Sequence, residues 1–125
     1  PRPVPMAAIA ASDALLELGG GAVEGMLVAQ AYDRADSSPR FRSFVDAYQA
    51  RFGRQPGYSA IASYDAVLVL GQAMAQSGRG ESLRDAVLRY QPYQGVQGAV
   101  RFDGFGDGTR PAFFSVVRNG RFEPL

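Results

Sequence analysis

The sequence predicts an α/β fold, on three observations. Two short apolar runs of strand length, residues 4–11 and 25–31, flank a helical stretch near the start of the chain. Three segments with helical apolar spacing follow between residues 38 and 90. The chain then becomes Gly-punctuated and closes with two strand-like runs around Asn119-Gly120. The order is β-α-β, three helices, a strand and a terminal β-hairpin.

Each element has a local cause. Residues 4–11 (VPMAAIAA) are apolar after a Pro-rich start and fit a buried strand or a loop beside one. Ser12 or Asp13 caps a helix over residues 14–18, and Gly19-Gly20-Gly21 stops it. Residues 25–31 (GMLVAQA) carry no charge, as a strand covered on both faces would. The polar stretch 33–38 is a linker or crossover. Ser38-Pro39 opens the next helix, since Ser38 can accept from free amides and Pro39 has φ pre-set for the first helical position. Phe41, Phe44, Val45, Tyr48 and Phe52 form one apolar stripe, and Gly53 ends the helix. A helix over residues 59–76 is apolar almost all round between Ala66 and Leu70, which predicts burial by more than one neighbour. A third helix, 82–90, carries Leu83, Ala86, Val87 and Tyr90 on one side. Residues 98–103 alternate weakly as a strand, 103–108 (DGFGDG) form a tight turn, and Asn119-Gly120 joins strands 113–118 and 121–125, because that turn needs φ > 0 at both central residues.

Composition narrows the function. The chain has 125 residues, hence one domain at most by length, and 46% hydrophobic residues, enough for a core. It has no Cys and no His, which removes thiolate metal sites, the usual zinc sites, cysteine nucleophiles and the Ser-His-Asp triad. All 13 basic residues are Arg, so no Schiff-base or Walker-type lysine exists. A net charge of +1 argues against nucleic-acid binding. No cofactor, metal ligand set or catalytic residue is proposed. The turn at 104–108 lacks the helix start that a phosphate cradle needs, and the twelfth position of a calcium loop starting at Asp103 is Phe114. Gly19-Gly20-Gly21 reads as a helix stop rather than an anion nest. Asp65, on the most apolar helix, must be paired or hydrogen-bonded if buried, and is read as a helix or loop tie rather than a ligand contact. Tyr58, Ser59 and Ile61 open that helix, where free amides and the positive dipole end suit a carboxylate; an N-cap with ordinary packing is the plainer account. The chain begins Pro1-Arg2-Pro3 with no Met, secretory signal or membrane-span-length apolar run, and its start reads as a cut.

The order of short motifs adds a resemblance. Ala22-Val23-Glu24-Gly25, then Phe44-Val45-Asp46-Ala47-Tyr48 with Arg51-Phe52-Gly53 and Pro56, then Tyr64-Asp65-Ala66-Val67, Leu83-Arg84-Asp85-Ala86-Val87, and Gly95-Val96-Gln97-Gly98-Ala99-Val100-Arg101-Phe102-Asp103 with Gly106-Asp107 follow in sequence. This series resembles the C-terminal third of type I periplasmic binding proteins, in particular the branched-chain amino-acid (Leu/Ile/Val) binding group of ABC-importer receptors. The resemblance covers nearly the whole chain. It implies a partial type I periplasmic-binding-protein fold: a C-terminal fragment of two three-layer α/β/α lobes, about two to three times longer when complete. Residues 1–34 would end lobe two, 35–102 would be the last part of lobe one, and 103–125 would be a crossover and the hairpin returning to lobe two.

The same resemblance implies a non-enzymatic solute-binding component that takes a small amino-acid-like, amide or carboxylate ligand by lobe closure. The parent would be periplasmic or extracellular and would dock on an ABC permease. Ligand contacts carry over to Ala8 and Ile9, after the first strand, and to Tyr58, Ser59 and Ile61. Members that bind amino acids place an acidic residue near Ala8 and Ile9 for the ammonium group. This chain has Ala7-Ala8-Ile9-Ala10 there, so a less polar carboxylate, an amide or an aromatic acid fits as well as an α-amino acid. The alternatives are an extracellular ligand-sensing domain of a signalling receptor with the same fold, and an α/β enzyme for which no constellation is visible. Pieces of two lobes would also expose sheet edges and apolar helix faces, so the chain is expected to self-associate or exchange elements between copies.

Overall fold

A computed structural model describes residues 4–8 and 12–125. Within it the chain divides into two compact units: Pro1–Ala35 with Pro111–Leu125, and Asp36–Arg110. The first unit is a four-stranded sheet in the order β1-β2-β6-β7, made from Met6–Ala8, Leu27–Gln30, Phe113–Arg118 and Arg121–Pro124. β1 runs parallel to β2, and β2–β6 and β6–β7 are antiparallel. Helix α1 (Asp13–Gly19) and a 3₁₀ turn (Gly20–Val23) pack on the sheet through Leu15, Leu16 and Val23. Val23, Val28 and Val117 form the core there, with Leu15, Leu16, Met26 and Phe122 packed around them.

Three expectations for this unit are corrected. Within the run 4–11, β1 forms as a strand, but Met6 is 66% exposed rather than buried, and residues 9–11 lie outside the described residues. The three glycines do not simply stop the helix: α1 continues through Gly19 and tightens into the 3₁₀ turn. The close approach of Val23 accounts for a glycine at position 19, because a Cβ there would collide with the Val23 side chain. Ser12 occupies the N-cap without a side-chain bond to the helix. Strand β2 is shorter than the apolar run, and only alternate residues, Val28 and Gln30, are buried rather than both faces. The terminal hairpin forms as predicted. Asn119 and Gly120 have φ of 51° and 68°, and their amides donate to the two oxygens of Glu24 at 3.1 and 2.6 Å.

The second unit holds helices α2 (Pro39–Phe52), α3 (Tyr58–Gln76) and α4 (Leu83–Arg89), and an antiparallel sheet of β3 (Tyr93–Gly95), β4 (Gly98–Phe102) and β5 (Gly108–Thr109). The start of α2 is as predicted: Ser38 Oγ accepts from the Phe41 amide and Pro39 follows. At its end Gly53 is left-handed, φ 68°. Of the predicted α2 stripe only Phe41 is buried. Phe44, Tyr48 and Phe52 form instead a ladder of rings along one side of the helix, with successive centroids 6.0 and 4.5 Å apart. Helix α3 starts one residue earlier than expected, with Gly57 as N-cap, and buries Ile61, Asp65, Val69 and Ala73, a stripe at four-residue spacing. The expected all-round burial is not observed: Val67, Leu70 and Met74 lie 69%, 42% and 62% exposed. α4 begins with Ser82 Oγ accepting from the Asp85 amide and packs Ala86 against Val69, Ala73, Tyr93 and Val100. Leu83, expected on its apolar side, is exposed. Strands β3 and β5 are too short to show periodicity in the sequence.

One side chain organises this unit. Asp65 is 1% exposed. Its Oδ1 accepts from the Val96 amide in the β3–β4 turn at 2.8 Å, and its Oδ2 lies 2.8 Å from Arg110 Nη2. The expected tie therefore exists, but to residues far along the chain rather than within the helix. Gly95 makes room for it, since a Cβ there would lie 3.0 Å from both carboxylate oxygens and 2.9 Å from Val100 Cγ2. Two turns along α3, Gln72 exchanges hydrogen bonds with the Gln94 main chain at 3.1 and 3.2 Å. Tyr93 donates to the Ala86 and Val87 carbonyls at 2.9 and 3.0 Å.

The Gly-rich turn is built on Asp103. Its Oδ1 accepts from the amides of Phe105, Gly106 and Asp107 at 2.9, 3.0 and 2.9 Å. These bonds, that of Asp107 foremost, hold the carboxyl below its ordinary value. The turn is structural, and no group of three or more candidate metal ligands occurs among the described residues.

Two outcomes follow from this architecture. Asp65→Ala strands Arg110 and the Val96 amide and is expected to cost about 3–5 kcal/mol in urea unfolding, as loss of one partner of a buried pair does. Gly95→Ala should cost stability too, with the strand retained. For Asp103 the folded pKa is the lower one, so its stabilisation is complete above the unfolded value and is lost as pH falls through the folded value. The urea midpoint of Asp103→Asn should lie below wild type at about pH 7, with the gap closing below about pH 4, the unfolded carboxylate range.

Candidate functional site

In sheets with parallel strands, ligands bind at the carboxyl ends of those strands. In the first unit that end is marked by Ala8, the last residue of β1, which pairs with Ala29 of β2. Ile9 lies outside the described residues. Beyond β2 the chain places a polar cluster. Gln30 and Tyr32 are 5% and 4% exposed. Arg34 Nε donates to Gln30 Oε1 at 3.1 Å, and Arg34 Nη1 lies 3.6 Å from Asp13 Oδ1. The guanidinium stacks between the rings of Tyr32 and Phe122, 5.3 and 4.6 Å from their centroids. Gln30 Nε2 and the Tyr32 hydroxyl have no hydrogen-bond partner among the described residues. Burial pushes the Tyr32 phenol upward; Arg34 opposes the shift and Asp13 adds to it. A concavity of ≈ 530 Å³ opens beside the cluster, lined by Tyr32, Arg34, Phe113, Ser115 and Pro124 among others.

In the second unit, Tyr58, Ser59 and Ile61 occupy the first turns of α3. Tyr58 is 39% exposed and Ser59 is exposed, whereas Ile61 is fully buried and serves the core of its unit. No side chain caps this helix; the Gly57 carbonyl accepts from the amides of Ala60 and Ile61. An open groove of ≈ 580 Å³ runs between α2 and α3, walled by Phe44, Tyr48, Phe52, Tyr64 and Val96. Phe44 and Tyr64 meet across it with centroids 4.8 Å apart. Of the five residues predicted as contacts, Ala8 thus belongs to one unit and Tyr58, Ser59 and Ile61 to the other.

The Gln30–Tyr32–Arg34 cluster was not foreseen, because 33–38 reads as a polar linker. Its signal was the alternation of Gln30, Tyr32 and Arg34 at two-residue spacing, which continues the inward face of β2. The described residues contain no helix long and apolar enough to cross a membrane.

Comparison with known families decides the lineage. The periplasmic binding protein family model matches residues 1–121. The chain belongs to the periplasmic binding protein family. No curated protein matches it. Among solved structures, a putative branched-chain amino acid ABC transporter protein from Rhodospirillum rubrum is 35% identical, with a TM-score of 0.77 over 99% of this chain and 38% of that one. An ABC transporter substrate-binding protein from Desulfitobacterium hafniense, in complex with Leu, is 31% identical, with a TM-score of 0.79 over 96% of this chain and 35% of that one. The leucine binding protein LivK of Thermotoga maritima is 28% identical, with a TM-score of 0.81 over 96% and 35%. The chain thus has the type I periplasmic-binding-protein α/β fold and spans little more than a third of the length of these relatives, which are solute-binding proteins.

The polar cluster makes a specific demand on substitutions. Arg34→Ala removes the donor to the buried Gln30 and is expected to destabilise the first unit by about 1–3 kcal/mol. It also removes the charge that lowers the Tyr32 pKa, so the Tyr32 phenolate absorbance should appear at higher pH than in wild type. Tyr32→Phe, which deletes a buried hydroxyl with no partner among the described residues, should be neutral or stabilising in the same unfolding assay.

Proposed function

We propose that this chain is part of the solute-binding component of an ABC importer, located in the periplasm or outside the cell. It contributes pieces of two lobes: Asp36–Arg110 to lobe one, and Pro1–Ala35 with Pro111–Leu125 to lobe two. The observation that carries the reading is the family match across residues 1–121, with a 31%-identical neighbour that holds Leu. The division of the chain supports it, since the first unit is assembled from segments on both sides of the second in sequence.

The ligand in this reading is a small amino-acid-like molecule, amide or carboxylate. Ala8 and Ile9 on lobe two and Tyr58 and Ser59 on lobe one contact it. Ile61 supports the turn from beneath, because its side chain is buried. Tyr58 offers a ring for an apolar side chain and Ser59 a hydroxyl. The residues around Ala8 bring no carboxylate for an ammonium group, which favours ligands that carry the acid or amide without requiring a paired amine. Contacts made to both lobes stabilise the closed state, and binding then draws the lobes together by population shift. No bond is made or broken, so no acid, base or nucleophile is needed.

The test is calorimetric titration of the complete two-lobed protein with leucine, isoleucine, aliphatic amides and aromatic acids. The expected result is binding of one class at micromolar affinity or better, weakened about tenfold or more by Tyr58→Ala. The 125-residue chain by itself should bind the same compound far more weakly. Tight binding by the chain alone, or affinity indifferent to Tyr58, would overturn the assignment of the site.

A further inference from the structure

The chain passes between its two units twice, after Ala35 and after Arg110. Both passages are held close to the crossing point. On the first, the Asp33 carboxylate accepts from the Ala35 amide at 2.8 Å, and the Asp36 carboxylate from the Ser38 amide at 2.7 Å. These are two consecutive Asx turns, and the Ala35–Asp36 link is the backbone joint between them. The Ser38 hydroxyl carries the series into α2 by accepting from the Phe41 amide. On the second passage, the Arg110 side chain is 26% exposed, and its Nη2 lies 2.8 Å from the buried Oδ2 of Asp65. Pro111 follows with φ fixed by its ring. Phe113 is already paired with Gln30 in the sheet of the first unit. Pro111 and Ala112 are therefore all that lies between the ion pair and that sheet.

We propose that Arg110 is a positioning residue for solute capture. Through Asp65 it fastens the second crossing to α3, the helix that opens with Tyr58 and Ser59. Bending between the units is thereby confined to Ala35–Asp36 and Pro111–Ala112. A hinge is a few element-terminal residues that absorb the change in φ and ψ, and these two links have that place in the chain. Arg110 itself touches no solute. Without its anchor, the chain between β5 and Pro111 bends as well, and the open state gains conformations. A smaller fraction of molecules is then competent to close, and the apparent affinity falls by that fraction. This role rests on the lobe-closure reading given above.

Pulsed EPR on the complete two-lobed protein tests it. Nitroxides are placed at Glu17→Cys and Arg79→Cys, exposed positions of the two units, in an otherwise cysteine-free background. Without added solute, Arg110→Gln should widen the distribution of label distances. Arg110→Lys, which keeps a cation for Asp65, should return it to the wild-type width. Tyr93→Phe, which gives up two carbonyl bonds in the same unit, should lower stability and leave the width unchanged. If circular dichroism shows that Arg110→Gln is unfolded, Asp65→Asn with Arg110→Ala serves instead and should widen the distribution equally. That pair leaves no buried charge and keeps an acceptor for the Val96 amide. In titrations with leucine, loss of the anchor should raise the Kd about threefold or more, and Arg110→Lys should restore it. An unchanged width in the anchor variants, or equal widening with Tyr93→Phe, would overturn the role of Arg110. A wild-type protein that binds no leucine would count against the ligand reading alone, since the label widths are read without solute.

Discussion

The carboxylate of Asp65 is the constraint on which the 36–110 unit depends. It sits in the middle of α3, reaches the turn between β3 and β4, and pairs with Arg110 where the unit ends. A buried charge is tolerated only when paired and hydrogen-bonded, and both oxygens here are engaged. The pair contributes less to net stability than to uniqueness: the hairpin can sit on α3 in only one register if Val96 is to face Asp65 while Gln94 faces Gln72. Residues seven apart on the helix are matched to residues two apart on the chain, so the two contacts fix both position and direction. Gly95 belongs to the same device, because a side chain there would occupy the space of the carboxylate.

The other unit solves its packing differently. Its sheet has an apolar half, where Val28 and Val117 meet α1, and a polar end, where Gln30, Tyr32 and Arg34 emerge. Arg34 joins the two by lying between Phe122 of the apolar half and Tyr32 of the polar end. Glu24 fastens the terminal hairpin to the rest of this unit by accepting from both turn amides. The polar end stands at the carboxyl edge of the parallel strands, where a sheet of this class meets its ligands. The family membership gives that placement its meaning.

Local rules in the sequence were reliable where the cause was local. Ser38-Pro39 starts α2 and Gly53 ends it because capping and φ preferences act within a few residues. Asn119-Gly120 turns the hairpin for the same reason. The ordered motifs carried the family, and the family carried the expectation of Tyr58 and Ser59. What was illegible was which partner a side chain would find. The apolar run 66–70 reads as buried on all sides, yet Val67 and Leu70 face out, since periodicity reports that a helix is apolar without reporting what lies beside it. The stripe from Phe41 to Phe52 reads as core, yet only Phe41 is buried, while Phe44, Tyr48 and Phe52 wall an open groove. Arg34 reads as part of a linker, yet it pairs with the buried Gln30 and lies over the Tyr32 ring.

The sequence by itself determined the class of fold, the order of its helices and longer strands, the ends of α2 and the terminal turn, and the absence of the side chains that most enzymes use. Each of these is a property of residues taken alone or of near neighbours. Only the tertiary structure decided that Asp65 pairs with Arg110 and Val96, that β3 lies along α3, that Arg34 bridges Tyr32 and Phe122, and that one face of α3 stays open. Those outcomes depend on contacts between residues far apart in the chain, where burial and hydrogen-bond satisfaction select among arrangements that the local pattern leaves equal.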